Sequence, residues 1–227
     1  MTLPLPPTLP SVDAVIFDAD GTLVDSETPG LEVLHAHALA LGVRFEPGEG
    51  VETWRGRPMP DALAELARRL GRPLPADFEA VMRAAMADRF REGLLAMPGA
   101  QALLEALQAQ HTPFCVATNG PRPKVELTLS LTGLRGYFGE HVYCAYEVGL
   151  FKPDPGLFLA AAQALGAQPA RCVVVEDSPP GIAAGLAAGM RVYALRSPMV
   201  EALQAHPRLR VVEGLEDLRR EPWMATR

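Results

Sequence analysis

Short apolar runs alternate with helical stretches from residue 97 onward, and this rhythm constrains the fold more than any other feature of the chain. Residues 113–117, 142–145, 172–175 and 192–195 are rich in β-branched, aromatic or small apolar side chains and are bounded by turn residues. Before and between them, residues 99–110, 123–131, 154–165 and 181–188 carry apolar side chains at helical spacing. Strands separated in this way by helices build βαβ units and a parallel sheet covered on both faces. The near-continuous runs Phe114-Cys-Val-Ala117 and Val173-Val-Val175 suit strands buried on both sides. A further run at residues 12–17, Val-Asp-Ala-Val-Ile-Phe, belongs to the same sheet, yet residues 27–93 contain no strand-like stretch. That block has three helical runs, 31–41, 60–70 and 76–90, stopped by Gly42, Gly71 and Gly93. The expected fold is therefore α/β: a doubly wound, Rossmann-like parallel sheet core with an inserted all-helical cap domain. The core is assigned to residues 12–26 plus 94–227, the cap to 27–93, and residues 1–11 to a flexible lead-in interrupted by prolines.

A chain of 227 residues buries enough surface to fold without a disulfide or a structural metal. Its net charge of −6 argues against nucleic acid as a partner, because a phosphate backbone demands basic surface. Cys115, Cys144 and Cys172 are odd in number, widely spaced and set in apolar runs, which predicts buried free thiols and a reducing, cytoplasmic setting. No apolar stretch reaches the length of a membrane span, and the N-terminal decapeptide lacks the basic start of a signal peptide. Nothing in the sequence separates a monomer from a weak dimer.

Ligands of doubly wound sheets bind beyond the carboxyl ends of the strands, and here those ends carry chemistry. The first run closes on Asp18-Ala-Asp20-Gly21-Thr22, the second on Thr118-Asn119-Gly120, and the run at 172–175 on Glu176-Asp177-Ser178; Lys152 lies in the loop 149–155. Alternation at a strand end lets Asp18 and Asp20 lean toward one space. Two close carboxylates call for a cation or a shared proton, and an EF-hand loop does not fit, since its Gly falls at position six and its Glu at twelve. Taken singly, each segment is also an ordinary turn or solvated charge; their joint arrival at strand ends is what points to a site. In a phosphoryl-transfer reading, Asp18 is the nucleophile, Asp20 the general acid and base, and Thr118 and Lys152 the ligands of the phosphoryl oxygens. The Asn119 and Gly120 amides join the phosphate cradle. Mg²⁺ would be bound by Asp18, the Asp20 backbone carbonyl and Asp177, with Glu176 behind them.

The motifs Asp18-Ala-Asp20-Gly-Thr22-Leu-Val-Asp25-Ser26, Thr118, Lys152-Pro153-Asp-Pro155 and Glu176-Asp177-Ser178, with Gly181 downstream, span nearly the whole chain. In this order they resemble the haloacid dehalogenase (HAD) superfamily, in the β-phosphoglucomutase-like and sugar-phosphate phosphatase branch with a helical cap. The overall look is similar to bacterial sugar-phosphate and 6-phosphogluconate phosphatases. The resemblance implies the same roles for Asp18, Asp20, Thr118, Lys152 and Asp177, with a small phosphorylated metabolite as substrate. Asp20 argues for phosphate esters over haloacids, and the absence of lysine from residues 27–93 argues against phosphonate cleavage. In the related phosphosugar mutases a cap His and Arg fall where this chain has Gly30 and Met59, so hydrolysis is favoured and mutase activity is the alternative. A phospho-accepting receiver module fits poorly, because its phosphorylated Asp lies on a later strand. Substrate choice is assigned to Glu27, Arg55 and Arg57 in the cap, each of which also reads as a solvated surface residue.

Overall fold

Both faces of strand β1 (Ala14–Phe17) are buried: Val15 and Phe17 point to one side and Ala14 and Ile16 to the other. The computed structural model describes residues 12–55 and 59–224, so the lead-in assigned to residues 1–11 and the candidate Arg57 lie outside the described residues. The described residues separate into two units, one formed by 12–24 and 96–224, the other lying within Asp25–Leu95.

The second unit is helical, with α1 (Glu27–Ala40), a 3-10 turn (Val51–Trp54), α2 (Met59–Leu70) and α3 (Phe78–Arg91). Helix α1 begins four residues before the expected start. Pro29 and Gly30 read as breakers, but Pro29 falls in the first turn, where its missing N–H costs no intrahelical bond. Gly30 is buried, and a Cβ built on it would stand 3.9 Å from both Met86 Cε and Phe90 Cζ. The unit has its own core, built around Leu34, Trp54, Leu66, Met82 and Phe90.

The first unit continues with α4 (Ala100–Ala109), β2 (Phe114–Thr118), α5 (Arg122–Leu131), β3 (Val142–Cys144), α6 (Ala145–Val148), α7 (Gly156–Ala164), β4 (Cys172–Glu176), α8 (Pro179–Ala187), β5 (Arg191–Leu195), α9 (Pro198–Glu201), β6 (Leu209–Val212) and α10 (Leu215–Leu218). The sheet order is β3-β2-β1-β4-β5-β6 and every pairing is parallel. In register, Phe17 lies beside Val116 on one flank and Val175 on the other, so β1, β2 and β4 end side by side. Alternate residues supply two cores: Val15, Phe17, Val116 and Val175 pack with α4, α5 and α10, while Ile16, Ala117 and Val174 pack with α7 and α8. Helices thus cover both faces, as the doubly wound expectation requires. Cys115, Cys144 and Cys172 are buried free thiols. Among the described residues no helix is long and apolar enough to cross a membrane.

Strand β6 adds to the runs read from the sequence, where Arg210 interrupts a stretch of only four residues. It is an edge strand, half-buried along most of its length, and Arg210 turns to a buried carboxylate. Glu221 accepts from Arg210 Nη1 and from Tyr193 Oη, both at 2.9 Å, and Tyr193 Oη in turn accepts from Trp223 Nε1 at 2.9 Å. Glu221→Ala should therefore lower stability by roughly 1–3 kcal/mol, because it strips partners from a buried hydroxyl and a guanidinium. Urea melts check this; an unchanged midpoint would mean the C-terminal lock contributes nothing.

Candidate active site

Asp18 immediately follows β1, and its N–H donates to Val175 O at 3.0 Å, which fixes the residue against the end of β4. The chain then turns sharply: Gly21 has φ +76°, its N–H donates to Val24 O, and Leu23 and Val24 both donate to Ala19 O. Gly21 is required twice over. Its backbone is left-handed, and a Cβ there would stand 2.1 Å from Asp177 Oδ2. Thr22 Oγ1 donates to Asp177 Oδ1 at 3.3 Å, so the turn after β1 and the end of β4 are joined through Asp177.

Lys152 enters the same space from the connection between α6 and α7. Its Nζ donates to Asp18 Oδ1 at 2.6 Å and to Glu176 Oε1 at 2.7 Å, and stands 4.8 Å from the centre of the Phe158 ring. Its main chain is clamped by Asn119, whose Oδ1 accepts from Lys152 N at 2.9 Å while Nδ2 donates to Lys152 O at 3.2 Å. Asn119 thus acts through its side chain, as a brace for the lysine loop. The Gly120 amide expected in a phosphate cradle donates to Thr118 Oγ1 at 3.0 Å. Thr118 itself is buried at the end of β2.

Glu176, expected behind the metal ligands, is fully buried, and its two oxygens have separate partners. Oε1 accepts from Lys152; Oε2 accepts from Asp177 N, Ser178 N and Ser178 Oγ at 2.9–3.0 Å. Gly181, in the first turn of α8, makes room for this carboxylate: a Cβ there would fall 1.7 Å from Glu176 Oε1. Ser178 also caps α8, its Oγ accepting from Gly181 N at 3.3 Å.

Burial pushes the Asp18 carboxyl up to about 7; the Lys152 ammonium pulls against this, and the nearby Glu176 and Asp20 carboxylates add to it. Burial alone would make Lys152 easier to deprotonate, but Asp18 and Glu176 outweigh it and hold the lysine above its ordinary range. Asp18, Glu176 and Asp177 present oxygens within 4.8 Å of one another. With Asp20, the site holds four carboxylates against the two ammonium groups Lys152 and Lys124. An all-oxygen, net anionic cluster of this kind fits a hard divalent cation, and the missing Cβ of Gly21 is what admits the Asp177 carboxylate to it.

Residues 12–189 match the model of the haloacid dehalogenase-like hydrolases. The chain belongs to this family. Several relatives are similar over most of their length. The 6-phosphogluconate phosphatase of Escherichia coli (strain K12) is 32% identical over 215 residues, covering 94% of this chain and 96% of that protein. Hexitol phosphatase A of the same organism is 34% identical over 189 residues, covering 81% and 82%. Among solved structures, a HAD family hydrolase from Deinococcus radiodurans R1, determined with bound phosphate and sodium, is 34% identical; 95% of this chain and 89% of that one are covered, with a TM-score of 0.67. The protein is an enzyme of the HAD hydrolase class.

The structure brings Asp18, Thr118, Lys152, Glu176 and Asp177 of this HAD hydrolase together at the ends of β1, β2 and β4. The Asp20 carboxylate turns to Lys124, whose Nζ lies 2.8 Å from Oδ2. Glu27 and Arg55, expected as separate substrate contacts, are partners in the helical unit at 2.6 Å, while Glu52 accepts from Arg55 Nε and Nη2 at 2.5 and 2.8 Å and Thr28 Oγ1 from Nη2 at 3.3 Å. Sequence reasoning missed Lys124, Phe158 and the capping role of Ser178. Only Ser178 had a local signal, a hydroxyl followed by Pro179-Pro180 at a helix start.

Proposed function

We propose that the protein is a Mg²⁺-dependent phosphomonoesterase that hydrolyses a small phosphorylated sugar or sugar acid through an aspartyl phosphate on Asp18. The observation that carries this reading is the pairing of a buried carboxylate at a strand end, Asp18, with an equally buried lysine held 2.6 Å away. The anchoring of Lys152 by Glu176 and Asn119 supports a fixed cation for the transferring phosphoryl group. An Asp18 oxygen attacks phosphorus while the P–O bond to the alcohol breaks, and Asp20 gives the departing oxygen its proton. Water then attacks the same phosphorus, its proton goes to Asp20, and the bond between phosphorus and Asp18 breaks to release inorganic phosphate. Thr118 and Lys152 bind the phosphoryl oxygens through both steps.

Asp18, Asp177 and the Asp20 carbonyl would hold the magnesium ion. It supplies the positive charge that lets an anionic ester approach an anionic nucleophile. The named relatives support a sugar or sugar-acid phosphate as substrate. Gly30 supports hydrolysis over mutase chemistry: it stands where the related mutases carry a cap histidine, and it offers no side chain that could move a proton. We assign choice of ester to the helical unit, with Arg55 as its leading residue. Three buried free thiols support a reducing, cytoplasmic setting.

Phosphate release from a panel that includes 6-phosphogluconate and hexitol phosphates tests the reading. Release is expected with Mg²⁺ and should be lost in EDTA; no release from any ester, or equal release in EDTA, would overturn it. The ion should also be visible without turnover. At about 100 times its Kd it adds about 2.7 kcal/mol to stability, raising the melting temperature by several degrees. Asp177→Asn should remove that rise.

A further inference from the structure

Lys124 lies in the first turn of α5, and its ammonium approaches a carboxylate that the reaction uses. Its Nζ is 2.8 Å from Asp20 Oδ2, with both side chains less than one-third exposed. The same oxygen packs over Gly120, where a Cβ would stand 3.4 Å away, in the tight connection that carries Thr118 and Asn119 from β2 into α5. Asp20 follows β1 and Lys124 opens α5 after β2, so this ion pair ties the Asp20 carboxylate to the neighbouring strand end. We propose that Lys124 is the positioning residue for Asp20: by gripping Oδ2 from the start of α5 it holds the carboxyl where it can deliver a proton to the departing oxygen. The inference rests on the phosphatase reading and extends it to a residue that acts through Asp20.

A positioning role makes a prediction that a structural role does not. An alkyl ester such as 6-phosphogluconate needs a proton on its leaving oxygen, whereas p-nitrophenyl phosphate releases a stabilised phenolate that does not. The value of kcat/KM counts only the steps through release of the alcohol, so it isolates this proton transfer from the later hydrolysis. In Mg²⁺, Lys124→Met and Lys124→Gln should each lower kcat/KM for the alkyl ester by at least about tenfold. For the aryl ester they should lower it by no more than about threefold, because proton delivery is not limiting there. Lys124→Arg should restore most of the alkyl activity. Equal losses on both esters in folded neutral variants, as judged by circular dichroism, would overturn the proposal, and so would an unchanged alkyl rate. A parent protein that hydrolyses neither ester would overturn the phosphatase reading itself and this extension with it. A parent active on both esters, with variants that fail the comparison, would overturn the role of Lys124 alone.

Discussion

Exchanging Lys152 for Met should cost about 3–5 kcal/mol of folding stability, as removal of one partner from a buried ion pair does. Exposed ion pairs contribute little because water and salt screen them. Lys152 differs in kind: its side chain is 3% exposed, Glu176 is 0% exposed, and the ammonium lies between two carboxylates at 2.6 and 2.7 Å. Without it, Glu176 keeps the three donors on Oε2, but Oε1 is left facing Asp18 with no cation between them. Methionine fills much of the same volume against Phe158, so the loss is electrostatic and does not come from a cavity. Adding Glu176→Gln to Lys152→Met removes the orphaned charge and should recover most of the stability while leaving the enzyme inactive. Urea titrations in EDTA separate this effect from metal binding. A single variant as stable as the parent would show that these carboxylates are solvated or neutral in the native protein.

That cluster also marks where sequence reasoning reaches and where it stops. Runs such as Phe114–Ala117 and Val173–Val175 announce buried parallel strands because every position is apolar, and the catalytic candidates follow from what stands at their ends. Strand β6 escapes because an edge strand tolerates an arginine, and the start of α1 escapes because Pro29, a breaker inside a helix, is tolerated in a first turn. Within the site, residue types were legible and partnerships were not. Asn119 looks like a turn residue, and nothing local says that its amide spans to the Lys152 main chain. Glu176 reads as one more acid near a metal, yet its oxygens hold a lysine and the turn at 177–178. Glu27 and Arg55 read as two contacts for a substrate, although opposite charges in one helical unit can equally find each other. Tertiary pairing decides these cases, and no periodicity or spacing encodes it.

Asp18→Asn should lower phosphate release by at least about 10⁴-fold, the scale of loss when an enzyme loses its nucleophile while its other polar groups stay in place. The amide has nearly the shape of the carboxylate and its oxygen can still accept from Lys152, so the loss belongs to bond formation at phosphorus. Stability should move the other way. The Asp18 carboxyl is raised from 3.8 to about 7 by burial and by its acidic neighbours, so ionising it works against the folded state. A folded-state pKa above the unfolded one means that the metal-free parent binds extra protons between roughly pH 4 and 7 and loses stability as pH rises through that window. Asparagine has no such cost. In EDTA at pH 8 the variant should therefore be at least as stable as the parent, and the gap should narrow as pH falls below 7 and the parent's own Asp18 becomes neutral. Lys152 keeps Glu176 as a partner throughout, so the variant does not leave a bare ammonium behind. Thermal melts across that range, beside phosphate release in Mg²⁺, read both quantities on one pair of proteins. An inactive variant that is also unstable at pH 8 would assign Asp18 to the fold, and an active one would remove it from the chemistry.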